Sequence, residues 1–109
     1  MKMVQAVIRP ERFDDIKRAL EQKGIVPMTA IEVKGRGEQK GITLEYRGKP
    51  TQVEFLPKMM VELVVKNEDV STVIATIRGG GRTGKIGDGK IFVLPIDRVC
   101  RVRTDEEWI

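Results

Sequence analysis

Met3-Val4-Gln5-Ala6-Val7-Ile8-Arg9 and Met60-Val61-Glu62-Leu63-Val64-Val65-Lys66 are two versions of one pattern. Each is a short apolar run ending in a cation, and its length reads as a mostly buried strand. Each leads into a segment with acidic residues at its start. After the first, Phe13, Ile16 and Leu20 recur at i, i+3 and i+7, with Ala19 beside them and charges elsewhere. That is the period of an amphipathic helix. After the second, Val70, Val73, Ile74 and Ile77 repeat the phase. Pro10 ends the first strand, and its fixed φ suits the opening of a helix. Gly24 reads as the first helix's stop. Asn67 reads as the N-cap of the second, with Glu68 and Asp69 complementing the helix dipole and Gly79-Gly80-Gly81 ending it.

Outward from this echo, Met28 to Lys34 resumes strand character around Ile31 and Val33. Ile91 to Leu94 is a further strand, and Val99 to Arg103 a short last one. Strand-helix-strand twice over predicts an α+β, ferredoxin-like βαββαβ domain. One antiparallel sheet should carry both helices on one face. The strands are apolar on both phases, so the other face is expected to be covered by further copies of the chain, in a closed ring.

The chain has 109 residues, enough for one domain (1–109) with its own core. It is 40% apolar and 33% charged, with net charge +4, which is ordinary for a globular protein and too mildly basic to establish nucleic-acid binding. No apolar run approaches a membrane span, and Met1 to Pro10 is too short and charged for a signal peptide. The single Cys100 excludes an internal disulfide, fits a reducing, cytoplasmic setting, and reads as a small structural residue packed on the last strand. With no histidine, no His-based triad or His metal site is possible. Ser71 lies in a helix without a base to activate it.

Two stretches carry binding chemistry. In Arg82-Thr83-Gly84-Lys85-Ile86-Gly87-Asp88-Gly89-Lys90, three glycines alternate with two lysines and one aspartate. Successive amides in such a turn form an anion-binding concavity, and lysines add charge; the same residues also make a plain glycine-rich turn. Gly79-x-x-x-x-Gly84-Lys85 approaches a P-loop but fails it. Ile86 stands where a hydroxyl should meet magnesium, and a helix precedes it where a strand is required. From Gly35 to Pro57, glycines and charges break the pattern over about twenty residues, which marks a functional loop or an extended hairpin. Gln39 and Lys58 would face each other if its ends are close. Arg101 and Arg103 alternate on the last strand, so they would share a face and suit phosphate, or pair with Asp105 and Glu106.

Thr83 to Val93 resembles the B-loop signature of the PII nitrogen-regulatory proteins (GlnB/GlnK type). Tyr46-Arg47-Gly48, Phe55-Leu56-Pro57-Lys58, Glu32-Val33-Lys34-Gly35, Gln39-Lys40-Gly41 and Arg101-Val102-Arg103-Thr104 match as well. The resemblance runs from Met1 to about Glu107 and implies a non-enzymatic homotrimer. It further implies that ATP or ADP binds between subunits, with Mg2+ and 2-oxoglutarate alongside ATP. Gly87, Asp88, Gly89 and Lys90 would wrap the phosphates, with Val7, Gly35, Gly37, Gln39, Lys58 and Val64 lining the cleft. The neighbour would supply Met28, Thr29, Glu62, Arg101 and Arg103. Gln39 would ligate magnesium. Gln39, Lys40, Gly41, Lys58, Ile86 and Gly87 would hold 2-oxoglutarate. A T-loop over about 36–56, with Tyr46, Arg47 and Thr51 as partner contacts, would dock on a target such as an ammonium transporter, nitrogenase or glutamine synthetase. The B-loop is 82–90 and the C-terminal segment 101–109.

The chain departs from that pattern in places. Thr51 occupies the position of the tyrosine that many members uridylylate, and Lys49 that of a phosphorylated serine. Glu38 replaces a usual arginine, removing a cation and adding an anion near the phosphates. Pro27 replaces a common glycine, Gly79 to Gly81 replace a more helical segment, and Trp108 is expected as an exposed or intersubunit contact. The rival reading is a small ferredoxin-like RNA-binding domain; its weakness is the lack of interleaved aromatics on any strand.

Overall fold

The computed structural model describes residues 1–37, 42–46, 49–53 and 55–108, and of 42–46 and 49–53 the backbone. Strands β1 (Lys2–Ile8), β2 (Thr29–Gly35), β5 (Leu56–Val65) and β6 (Lys90–Pro95) form one antiparallel sheet in the order β2-β5-β1-β6. Helices α1 (Phe13–Gln22) and α2 (Val70–Gly81) make the two crossovers, each entered through a 3-10 turn, Pro10–Arg12 and Asn67–Asp69. This is the split βαβ plan read from the echo.

Alternation along the two central strands divides the sheet. Val4, Ala6 and Ile8 of β1 and Val61, Leu63 and Val65 of β5 point to the helices and are buried. Ile16 and Leu20 of α1 and Val73 and Ile77 of α2 meet them. Each of the valine, leucine and isoleucine side chains among them, fully buried, is worth about 1.5–3 kcal/mol. Met3, Gln5, Val7, Met60, Glu62 and Val64 point the other way, and Val64 stays 38% exposed. Phe92 and Leu94, opposite Gln5 and Met3, remain 46% and 39% exposed. Among the described residues of one chain, nothing covers that face.

The end of α1 follows its sequence signal. Gly24 takes φ +77°. Its amide donates to Glu21 O, and the Ile25 amide to Leu20 O, the paired bonds of a Schellman stop.

Four expectations need correction. The glycines at 79–81 do not end α2; they are its last turn. A Cβ at Gly80 would lie 3.0 Å from Ile16 Cγ1 and 3.1 Å from Ile16 Cα, and one at Gly81 3.0 Å from Ile16 Cδ1. Gly80 and Gly81 are glycine because α1 crosses there at close contact, and Arg12 Nε donates to Gly80 O at 2.8 Å to close the helix end. Asn67 makes no side-chain cap, because it lies inside the 3-10 turn. The last strand is only β7 (Val99–Cys100), paired with β8 (Glu107–Trp108) and not with the main sheet. Arg101 therefore lies just past β7 and Arg103 in a bend, rather than both on one strand face. Cys100 is exposed, not packed, with its thiol on Glu107.

The long polar excursion contains a hairpin, β3 (Ile42–Tyr46) against β4 (Lys49–Val53). No strand of the main sheet pairs with it among the described residues.

Gly79 and Gly80 separate propensity from packing. Nothing lies within 4 Å of a Cβ at Gly79. Gly79→Ala should therefore raise unfolding stability by roughly 0.5–1 kcal/mol. Gly80→Ala should lower it by about 1–3 kcal/mol, since Ile16 must move. Denaturant midpoints of the two variants check both signs.

Candidate functional site

Gly84, Gly87 and Gly89 all take positive φ, +84°, +104° and +98°. At Gly89 the reason is also steric: a Cβ there would stand 1.7 Å from the Val7 carbonyl oxygen. The loop 82–90 is thereby pressed against the end of β1, before the chain enters β6 at Lys90.

Asp88 organises the loop from inside. One carboxylate oxygen accepts the Thr83 and Gly84 amides, at 2.8 and 2.9 Å. The other accepts the Thr83 hydroxyl and Arg9 Nε, the latter at 2.9 Å. Arg9 reaches on with its other arm to Ile86 O at 2.8 Å. Lys58, near the start of β5, donates to Gly87 O at 2.6 Å. The Thr83 hydroxyl and then the Arg9 guanidinium hold the Asp88 carboxyl well below the usual carboxylate range, with the Thr83 and Gly84 amides adding to it. Burial, then the charge of Arg9, push the Lys58 amine below its ordinary value.

The residues expected at a site fall into two groups. Val7, Gly35, Lys58, Ile86, Gly87, Asp88, Gly89 and Lys90 gather at one end of the sheet. Gly35 ends β2, a Cβ on it would meet Lys58 Cγ at 3.3 Å, and Val7 pairs with Lys90. Gly37 lies just beyond, exposed. A cleft of about 410 Å³ opens beside this end, lined by Val7, Ile77, Gly81, Asp88, Gly89, Lys90 and the cations Arg78 and Arg82. A second, of about 240 Å³, lies by Arg9, Glu11 and Lys58.

Thr29, Glu62 and Val64 lie farther along the open face, with Thr29 paired to Glu62 and Val64 to Met3. Met28 packs at the core's margin. From Gly35 to Thr29 is about 20 Å at strand rise. Arg101 and Arg103 follow β7, beyond the far end of β6, where Ile96 N donates to Met1 O. Arg101 is engaged by its own tail: its amide donates to Glu106 O, its guanidinium is 3.4 Å from the Glu106 carboxylate and stacks over Trp108 at 5.2 Å. Arg98 pairs with Glu107. Gln39, Lys40, Gly41, Glu38 and Arg47 lie outside the described residues; Tyr46 and Thr51 fall in β3 and β4, where Thr51 pairs with Leu44.

Arg9 and Thr83 were missed by sequence reasoning. A signal for Thr83 existed, a hydroxyl residue five positions before an aspartate in a glycine-rich turn. Arg9 had none, because its partner is 79 positions away.

A group of glycines with positive φ, flanked by Arg9, Lys58 and Lys90, suits an extended anion. A Cβ at Gly87 would lie 3.1 Å from an Arg9 nitrogen and 3.7 Å from Lys58 Nζ, so the backbone leaves these cations within reach. The P-loop alternative fails structurally as well, since α2 leads into the loop. On the open face Phe92 is the one aromatic among the described residues, which gives no stacking row for bases.

The Asp88 carboxyl sets a sign for acid stability. Its folded pKa lies below the ordinary 3.8, so its contribution is complete above that value and is lost only as pH falls through the lower, folded one. A carbon-detected NMR titration should find Asp88 ionised through pH 3.8. A midpoint at or above that pH would contradict the bonding described.

Comparison with known proteins gives the family. A family model for nitrogen regulatory protein P-II matches residues 1–106. Nitrogen regulatory protein P-II 2 of Methanothermobacter thermautotrophicus is 51% identical over 106 residues, 97% of this chain and 92% of that protein. Nitrogen regulatory protein P-II 1 of Escherichia coli K12 is 51% identical over 107 residues, covering 98% and 96%. The P-II protein of Microchaete diplosiphon matches to the same extent, 51% over 107 residues. The chain thus belongs to the nitrogen regulatory protein P-II family, whose members are regulators and not enzymes.

Proposed function

We propose that this protein is a cytoplasmic sensor of ATP, ADP and 2-oxoglutarate that regulates nitrogen assimilation by presenting the segment around the β3–β4 hairpin to a target protein. The observation that carries this reading is the glycine loop held against β1 with Arg9, Lys58 and Lys90 around it. Gly87, Gly89 and Lys90 would meet nucleotide phosphates through backbone amides and one ammonium. Lys58 sits between that loop and the start of β5, close to where the hairpin segment rejoins the sheet. An anion that draws Lys58 from Gly87 O changes a contact at the hairpin's base. Magnesium, when bound through Gln39, would neutralise phosphate charge and join the two ligands; 2-oxoglutarate would share Lys58 and the Gly87 backbone.

The uncovered sheet face supports a homotrimer. By the family resemblance the neighbouring copy supplies Thr29 and Glu62, and in one chain Arg101 and Arg103 follow β7 beyond the opposite end of β6, away from the loop. Apposed copies bring one chain's loop to another's far half, so the site is complete only in the assembly. Ammonium transporters, nitrogenase and glutamine synthetase are the proposed classes of target. No helix among the described residues is long and apolar enough to cross a membrane.

Light scattering should give three times the chain mass; a monomer at micromolar concentration would contradict the shared site. Calorimetry should detect ATP and ADP competing for one class of site, with 2-oxoglutarate heat appearing only when ATP and magnesium are present. Absence of nucleotide binding at millimolar concentration would refute the reading. Lys90→Ala should weaken ATP by roughly tenfold or more, the usual worth of a charged hydrogen bond; an unchanged isotherm would remove Lys90 from the site.

A further inference from the structure

An acidic residue in a loop that receives anions demands an account, because its charge repels the ligand. Asp88 offers little to a ligand. A carboxylate has about four acceptor positions, and here two amides, one hydroxyl and one guanidinium nitrogen occupy its two oxygens. The Thr83 and Gly84 amides form the front of the loop's concavity, and the carboxylate fills it.

The back of the loop is turned by the two cations. Arg9 draws the Ile86 carbonyl inward and Lys58 draws the Gly87 carbonyl. In a trans peptide the N–H points opposite to the C=O. Holding these two carbonyls therefore turns the Gly87 and Asp88 amides to the opposite side. Arg9 joins the halves, with one arm on Asp88 and the other on Ile86 O. Both Arg9 and Asp88 side chains are only 23% exposed, which keeps the pair from being fully screened.

We propose that the Asp88 side chain positions the loop and is not itself a ligand contact: its carboxylate, clamped by Arg9, stands as a resident anion in the front of the loop and thereby sets the 87–90 backbone that receives an external one. Phosphate recognition is thus confined to the second half of the loop. The proposal rests on the nucleotide reading of this loop, and its consequence runs against simple charge counting. Removing the negative charge of Asp88 should tighten an anion if charge alone matters. If the carboxylate shapes the cradle, removing it should loosen the anion.

The test compares the wild-type chain with Asp88→Asn, Thr83→Val and Thr83→Ser. ATP affinity is read by calorimetry, and amide hydrogen exchange is read without ligand. Asp88→Asn should bind ATP about tenfold or more weakly, because the amide cannot accept all four bonds and turns a donor toward Arg9. Thr83→Val keeps every charge and should lose affinity in the same direction, while Thr83→Ser restores it. The Thr83 and Gly84 amides, both bonded to the carboxylate, should exchange faster in ligand-free Asp88→Asn and Thr83→Val. Equal or tighter ATP binding by Asp88→Asn, with the wild type binding normally, would overturn the proposal, as would unchanged exchange. A wild-type chain that does not bind ATP would refute the nucleotide reading itself, and the exchange data would still judge the positioning role. Should Asp88→Asn fail to fold, the Thr83→Val and Thr83→Ser pair decides.

Discussion

The contact between Gly89 and the Val7 carbonyl is the constraint on which the rest turns. A Cβ at residue 89 would lie 1.7 Å from that oxygen, inside any van der Waals limit. The loop therefore has one seat, against the end of β1. The same strand buries Val4, Ala6 and Ile8 under the helices and pairs with both β5 and β6. It then delivers Arg9 to Asp88 and Ile86 O. Core and loop are thus one structure: what orders β1 also orders the loop, and little backbone freedom remains to be lost when a ligand arrives.

Two physical demands meet in this sheet. Covering one face with α1 and α2 buries the chain's own core, Val4, Ala6, Ile8, Val61, Leu63 and Val65 against both helices. The other face keeps Val64, Phe92 and Leu94 half exposed on β5 and β6, the strands flanking β1 in one sheet. Covering it with other copies removes that surface from water and, in the same step, brings the separated halves of the site together. Assembly and ligand recognition would then share one interface, and ligand binding would favour the assembled form by mass action.

The fold was legible where period and length agree. The paired runs 3–9 and 60–66 and their helices read correctly because burial imposes alternation on strands and a 3.6-residue stripe on helices. The β3–β4 hairpin was legible only as one of two readings of 35–57: Ile42, Leu44 and Tyr46 alternate, but the surrounding glycines and charges left its strand bounds unmarked. The glycine run at 79–81 misled because the cause at Gly80 and Gly81 is tertiary, the crossing at Ile16. The loop's glycines and lysines announced anion chemistry. The inward role of Asp88 did not show, since it depends on Arg9, and no local pattern encodes a bond across 79 positions. Arg101 and Arg103 were read as strand neighbours, but Glu106 and Trp108 fold the tail back on Arg101.

The central claim is that one nucleotide site is built from two copies of this chain. It is tested most directly by mixing two defective chains. One carries Lys90→Ala, damaging the loop half; the other carries Glu62→Ala, damaging the far half. Each alone should bind ATP poorly. Co-expressed in equal amounts, they should recover wild-type affinity at about a quarter of the sites, the share that random assembly leaves with both halves intact. If both halves belonged to the same chain, every site would remain damaged, and a mixture that binds no better than its parents would contradict the account.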